Sequence, residues 1–192
     1  SIFKVYKDDL EYMWEPLAVR SLGNYTATQN LYKNRYGNKI IFEEINHDLK
    51  LIFRYQWSSS NAYGFIKKST LINTGNESVR VNLLDGIQNI MPASIGSDQQ
   101  NQISNLVDAY KRNELEASTG LGIYALSAIL VDKAEASEAL KANIAWSVGL
   151  EKPKYLLSSL QLNEFRAGKS LVQEIDIKAE KGAYFLNSEI IL

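Results

Sequence analysis

The 192 residues hold no cysteine, one histidine, three prolines and two methionines. Without cysteine there is no disulfide, no thiolate metal site and no cysteine nucleophile. A Ser-His-Asp arrangement or a histidine metal site would have to use His47. That residue lies in a polar turn, Asn46-His47-Asp48, where a solvated imidazole is the simpler reading. No run of about 18 apolar residues occurs, so no helical segment is apolar enough to span a membrane. Neither sign of charge dominates: 21 Lys and Arg stand against 22 Asp and Glu, a net charge of −1. That balance argues against an electrostatic footprint for nucleic acid or an anionic membrane. No glycine loop cradles a phosphate, since Gly120-Leu121-Gly122 opens no helix. No cofactor is expected.

What the chain has is alternation. Hydrophobic residues make up 45% of it, ample for a core. Ile2 to Val5 begins as a strand, and Asp8-Asp9 suits a turn. Trp14-Glu15-Pro16 reads as an irregular crossing, and Tyr25 to Tyr36 as an edge strand or a loop with exposed aromatics. Lys39 to Ile45 is a strand. Leu49, Leu51, Phe53, Tyr55 and Trp57 then give the cleanest period of two in the chain. Phe65 to Asn73 and Ser78 to Leu84 read as the arms of a hairpin about Thr74-Gly75-Asn76-Glu77, because Gly and Asn tolerate positive φ.

Helical spacing appears at Ile103, Leu106, Val107 and Tyr110, with Ser97 and Gln100 in capping-box positions. A helix over Asp98 to Leu106 competes with a strand over Leu106 to Leu115. Leu121 to Val131 is apolar on both faces, and Asp132 to Ser137 is a turn or a short helical loop. Leu140, Ala142, Ile144, Trp146 and Val148 suggest a half-buried strand. Tyr155 to Leu162, Ser170 to Ile177 and Tyr184 to Leu192 complete about ten strands. The expected class is all-β, a two-layer antiparallel β-sandwich with at most one or two short helices, forming one domain over residues 1–192. A start at Ser1 and a finish within an apolar run suggest a piece of a longer protein.

Three kinds of side chain could carry chemistry. Among the carboxylates (Glu43, Glu44, Asp85, Asp108, Glu114, Glu116 and Glu138), Asp108 and Glu114 are the pair to inspect for glycoside chemistry. Such chemistry needs two facing carboxyls about 5–5.5 Å or 6.5–9.5 Å apart; solvated positions at strand ends are the plainer reading. Three tryptophans and eleven tyrosines can stack on sugar rings. Trp57 and Trp146 each continue an apolar face and read as core. Tyr25, Tyr32, Tyr36 and Tyr63 lie in polar contexts and are the candidates for an exposed carbohydrate platform. Asn24 and Asn76 match Asn-x-Ser/Thr, which marks them only as possible surface positions.

The succession from Tyr36 to Pro92, with its long strand Leu49 to Trp57 and its Asn-Thr-Gly between Leu71 and Leu83, resembles a known family. It is similar to the N-terminal β-sandwich of large sugar-active enzymes of the cellobiose phosphorylase type. The resemblance covers roughly Lys39 to Leu150. It implies a galactose mutarotase-like supersandwich in a periplasmic or cytoplasmic bacterial protein. It also implies a catalytic acid in a helical catalytic domain of the same polypeptide, outside these residues. A true mutarotase uses catalytic histidines with a glutamate, which one histidine does not supply. Three functions follow as expectations: a non-catalytic domain that packs against the catalytic domain, contributes to a homodimer or walls a sugar cleft; a stand-alone carbohydrate-binding or adhesion sandwich; or a small glycosidase using Asp108 with Glu114.

Overall fold

The computed structural model describes residues 1–128 and 140–192. The turn expected over Asp132 to Ser137, the apolar positions Ile129, Leu130 and Val131, and Glu138 lie outside the described residues. The chain is all-β, its strands gathered into three antiparallel sheets in the manner of a sandwich. The first seven strands are β1 (Ile2–Lys7), β2 (Leu10–Trp14), β3 (Ala27–Lys33), β4 (Lys39–Asn46), β5 (Leu51–Ser60), β6 (Gly64–Asn73) and β7 (Arg80–Ile90). Then come β8 (Lys111–Glu116), β9 (Leu121–Leu126), β10 (Asn143–Ala145), β11 (Lys154–Leu156), β12 (Asp176–Lys178) and β13 (Gly182–Ile191). Among the described residues three short α-helices appear where at most one or two were expected: α1 (Ser97–Gln102), α2 (Ser104–Tyr110) and α3 (Leu162–Arg166). Two compact units emerge, one of Ser1–Leu83 with Glu189–Leu192 and one of Leu84–Ser188.

In the first unit, β1 and β2 form a hairpin about Asp8 and Asp9, whose φ values of 51° and 59° are those of a type I′ turn. β2 carries no clear alternation in the sequence, where only Trp14 at its end stands out. Strands β3-β4-β5-β6 form a meander in that order. One of its faces carries Leu51 and Phe53, both fully buried, and the Phe53 ring meets Phe3 edge-on at 4.9 Å. Phe3 in turn lies 5.5 Å from Trp14. Burial of this size contributes about 1.5–3 kcal/mol per side chain.

Phe65–Asn73 and, within the expected second arm, Arg80–Leu84 lie in strands, but the two are not a hairpin. β6 pairs with β5 from Leu51↔Asn73 to Ser60↔Gly64, around a turn at residues 61–63. The reason lies at Thr74, whose N–H and hydroxyl both donate to the Lys50 carbonyl, at 2.9 and 2.8 Å. Those bonds hold the chain against the β4–β5 turn, and Gly75 needs no left-handed φ. Val79 then exchanges both ladder bonds with Leu192, each 2.9 Å.

In the second unit β10-β9-β8-β12 form one sheet, and β11 pairs with β13. Its core gathers Leu115, Tyr124, Leu157 and Tyr184. The two buried phenols donate to carbonyls, Tyr124 to Ala183 at 2.7 Å and Tyr184 to Gly120 at 2.6 Å; burial pushes both hydroxyls above their ordinary pKa. Both readings of the 98–115 stretch are realised in succession. Helix runs to Tyr110 with a break at Ile103, and a strand starts at Lys111. The cap shifts by one residue, since Gly96 is the N-cap and donates its N–H to Gln99 Oε1 at 3.4 Å.

The apolar stripe from Leu140 to Val148 does not become a buried strand. Only Asn143–Ala145 pairs, at the sheet edge beside β9. Leu140 is 87% exposed and Val148 83%, and Trp146 is half exposed. An edge strand of three residues, paired on one side with β9, is too short to bury the alternating side chains of a nine-residue stripe. The stretches Tyr155 to Leu162 and Ser170 to Ile177 contain only the short strands β11 and β12, together with the start of α3.

Candidate functional site

The carboxylates separate into pinned groups. Glu43 and Glu44 are neighbours on β4 and therefore point to opposite faces of the meander. Glu44 accepts from Trp14 Nε1 at 2.7 Å, the Leu17 amide at 2.7 Å and Gln29 Nε2 at 2.8 Å. Glu43 accepts from Asn30 Nδ2 at 2.8 Å and Tyr32 Oη at 3.0 Å, and it pairs with the Arg54 guanidinium. Burial alone raises the pKa of Glu43, but the three donors and the Arg54 charge outweigh it and hold the group below the ordinary range. The same bond pushes the Tyr32 phenol upward. In the second unit Glu174 accepts the Leu157 and Ser158 amides at 2.6 and 2.8 Å, and the Ser158 hydroxyl at 2.9 Å. Three satisfied carboxylates thus fix the fold; no periodicity in the sequence points to Glu174, and none pairs Trp14 with Glu44.

Asp108 and Glu114 each hold a cation of their own. Asp108, on α2, receives the buried Lys111 ammonium at 2.6 Å. Glu114 lies on β8 beside Arg112, 2.9 Å away, and that guanidinium also reaches Asp176 at 3.1 Å. Asp108 lines a small cleft of about 270 Å³ with Asn89, Ser159, Glu180 and Lys181, and Glu114 is not among its walls. Asn89 and Ala179 at that cleft both have φ of 59°, a left-handed geometry uncommon for alanine. The cleft falls just short of the roughly 300–1,000 Å³ typical of ligand sites. His47 is exposed at the meander's edge, with Nε2 2.8 Å from Thr28 Oγ1. Among the described residues no group of three or more His, Asp or Glu could hold a metal ion.

The four tyrosines do not make one platform. Tyr25 donates to the Met13 carbonyl at 2.8 Å, near the Ala27↔Asn46 end of the meander. Tyr36 and Tyr63 sit at the opposite end, in the β3–β4 and β5–β6 turns, and are 85% and 65% exposed. Tyr32 pairs with Ile41, on the face away from Trp57.

A different aromatic surface is present. The face that buries Leu51 and Phe53 continues through Tyr55, Trp57 and, beside Ser59, Phe65. Phe42 stacks on Tyr55 at 4.8 Å with the rings 17° from parallel, and Phe53 lies 6.0 Å from Tyr55. The Lys67 ammonium stands 5.6 Å from the Tyr55 ring centroid. Along this line burial falls away: Phe53 is buried, Tyr55 and Trp57 are half-buried, and Phe65 is 87% exposed. The stripe from Leu49 to Trp57 was legible in the sequence; that its second half outruns its covering layer was not. No family model matches the sequence, and no curated protein is significantly similar to it.

Proposed function

We propose that this chain is a non-catalytic sandwich domain of a carbohydrate-active protein of the cellobiose phosphorylase type, contributing the aromatic half of the β3–β6 meander as a wall for a sugar. The observation that carries the reading is the row of rings that leaves the core at Phe53 and continues through Tyr55, Trp57 and Phe65 on one face. Aromatic rings held on a rigid sheet offer flat apolar area at little entropic cost, which suits the apolar face of a pyranose. The carboxylates support a scaffolding role, because Glu43, Glu44 and Glu174 each accept at least three hydrogen bonds within the fold. Titration calorimetry against a panel of gluco-, galacto- and xylo-oligosaccharides tests the reading. Binding is expected, weakened by Phe65→Ala or Trp57→Ala and kept by Asp108→Asn. Glycoside cleavage that disappears in Asp108→Asn would replace this reading with the enzymatic one.

A second role is favoured by Leu140, Ile144, Trp146 and Val148, four exposed large apolar side chains within nine residues, since clustered apolar exposure marks contact sites. It suits packing against a catalytic domain of the same polypeptide. Hydrogen exchange slower over 143–148 in a longer polypeptide than in this chain alone would support that role.

A further inference from the structure

The aromatic half of the meander is also where the charge is one-sided. Residues 31–42 and 55–70 contain Lys33, Arg35, Lys39, Lys67 and Lys68 and not one Asp or Glu, although the whole chain carries a net charge of −1. The register assembles these cations at one end of the sheet. Lys33, Ile40, Trp57 and Lys67 form a single cross-strand row through all four strands, so an ammonium on each edge strand brackets an apolar pair. At strand spacings of about 4.8 Å the two lysine backbones stand roughly 14 Å apart. Arg35 lies in the β3–β4 turn at the same end, and Lys39 and Lys68 stand one residue from this row, on the reverse face. The nearest carboxylates on these strands, Glu43 and Glu44, are buried and occupied with their own donors.

We infer that this face takes a polyanionic glycan whose repeating sugars carry carboxylates, its rings lying over Trp57 and Phe65 and its charges meeting Lys33 and Lys67. The inference rests on the carbohydrate reading above and narrows its ligand. A single-stranded nucleic acid fits less well. Phe42 and Tyr55 cover each other's faces and Lys67 sits over Tyr55, so Trp57 and Phe65 are the rings left open, short of the run of stacking faces that successive bases use. The whole chain also lacks the strongly basic balance that nucleic-acid binding calls for, with 21 Lys and Arg against 22 Asp and Glu.

The test uses the whole chain with polygalacturonate, a neutral galactan of similar length and an oligo-dT strand, at low and at physiological salt. Polygalacturonate should bind roughly tenfold tighter than galactan at low salt, with the gap shrinking as salt rises. Lys33→Gln with Lys67→Gln should reduce polygalacturonate binding roughly tenfold and galactan binding far less. The corresponding pair of Lys→Arg changes should retain it, and so should Lys178→Gln on β12. Equal binding of galactan and polygalacturonate would overturn the anionic ligand and leave the carbohydrate reading standing. Binding of neither glycan would overturn both, and preference for oligo-dT would overturn the choice of a glycan.

Discussion

At Glu43 two neutral donors and a guanidinium converge on a side chain that is almost wholly buried. Its pKa in the folded chain lies below the ordinary glutamate value of 4.5. Stability from this group is therefore present above about that pH and is lost as pH falls through its folded value. Glu43→Gln should cost on the order of 1 kcal/mol at neutral pH, because Arg54 is partly exposed and its charge is screened. The variant should also flatten the acid limb of a stability-against-pH curve measured by denaturant titration. Gly86 makes a steric demand instead. A Cβ there would lie 2.0 Å from the Tyr184 carbonyl oxygen and 2.7 Å from the Phe185 Cα. Backbone atoms in a ladder cannot step aside as a flexible side chain would. Gly86→Ala should cost about 3 kcal/mol or more, seen as a fall in the urea midpoint.

Two elements separate what pattern reveals from what it hides. The Asp8-Asp9 turn holds both residues at positive φ, a geometry in which glycine is favoured at the second position. Asp9→Gly should raise stability by up to about 1 kcal/mol, read from the thermal midpoint. The stripe at Leu49 to Trp57 and the one at Leu140 to Val148 look alike on paper, yet substitution should distinguish them. Leu51→Ala should cost about 2–5 kcal/mol, whereas Val148→Ser should change stability by no more than about 0.5 kcal/mol; equilibrium unfolding checks both. Alternation identified β4, β5, β6 and β13 and the all-β class, because a period of two is a local property of the backbone. It did not identify partners. Whether β6 meets β5 or β7 depends on the bonds from Thr74 to Lys50, and no pattern within either strand encodes them. Exposure escaped for the same reason, since the layer that ends over Tyr55 belongs to other parts of the chain. The candidate surface is half legible: Trp57 stands on the right stripe but its apolar pattern reads as core, and the tyrosines in polar contexts are scattered.

Across the whole molecule the chain order and the compact units disagree. The first unit consists of Ser1–Leu83 and Glu189–Leu192, with residues 84–188 folded as the second between them. Removing Glu189–Leu192 would strip both ladder bonds from Val79, an acceptor from Asn73 Nδ2 and the carboxylate that faces Arg80 at 3.6 Å. That truncation should lower the stability of the first unit by roughly 2–3 kcal/mol, with amide exchange accelerated first around Val79. On the ribosome the same discontinuity becomes a matter of timing. At about 5–20 residues per second, β1 to β6 emerge several seconds before the segment that completes their unit, and the Trp57 face and both meander edges wait in that interval without a finished fold beneath them. The lysines that bracket this face then act as gatekeepers, discouraging one nascent chain from zipping onto the next.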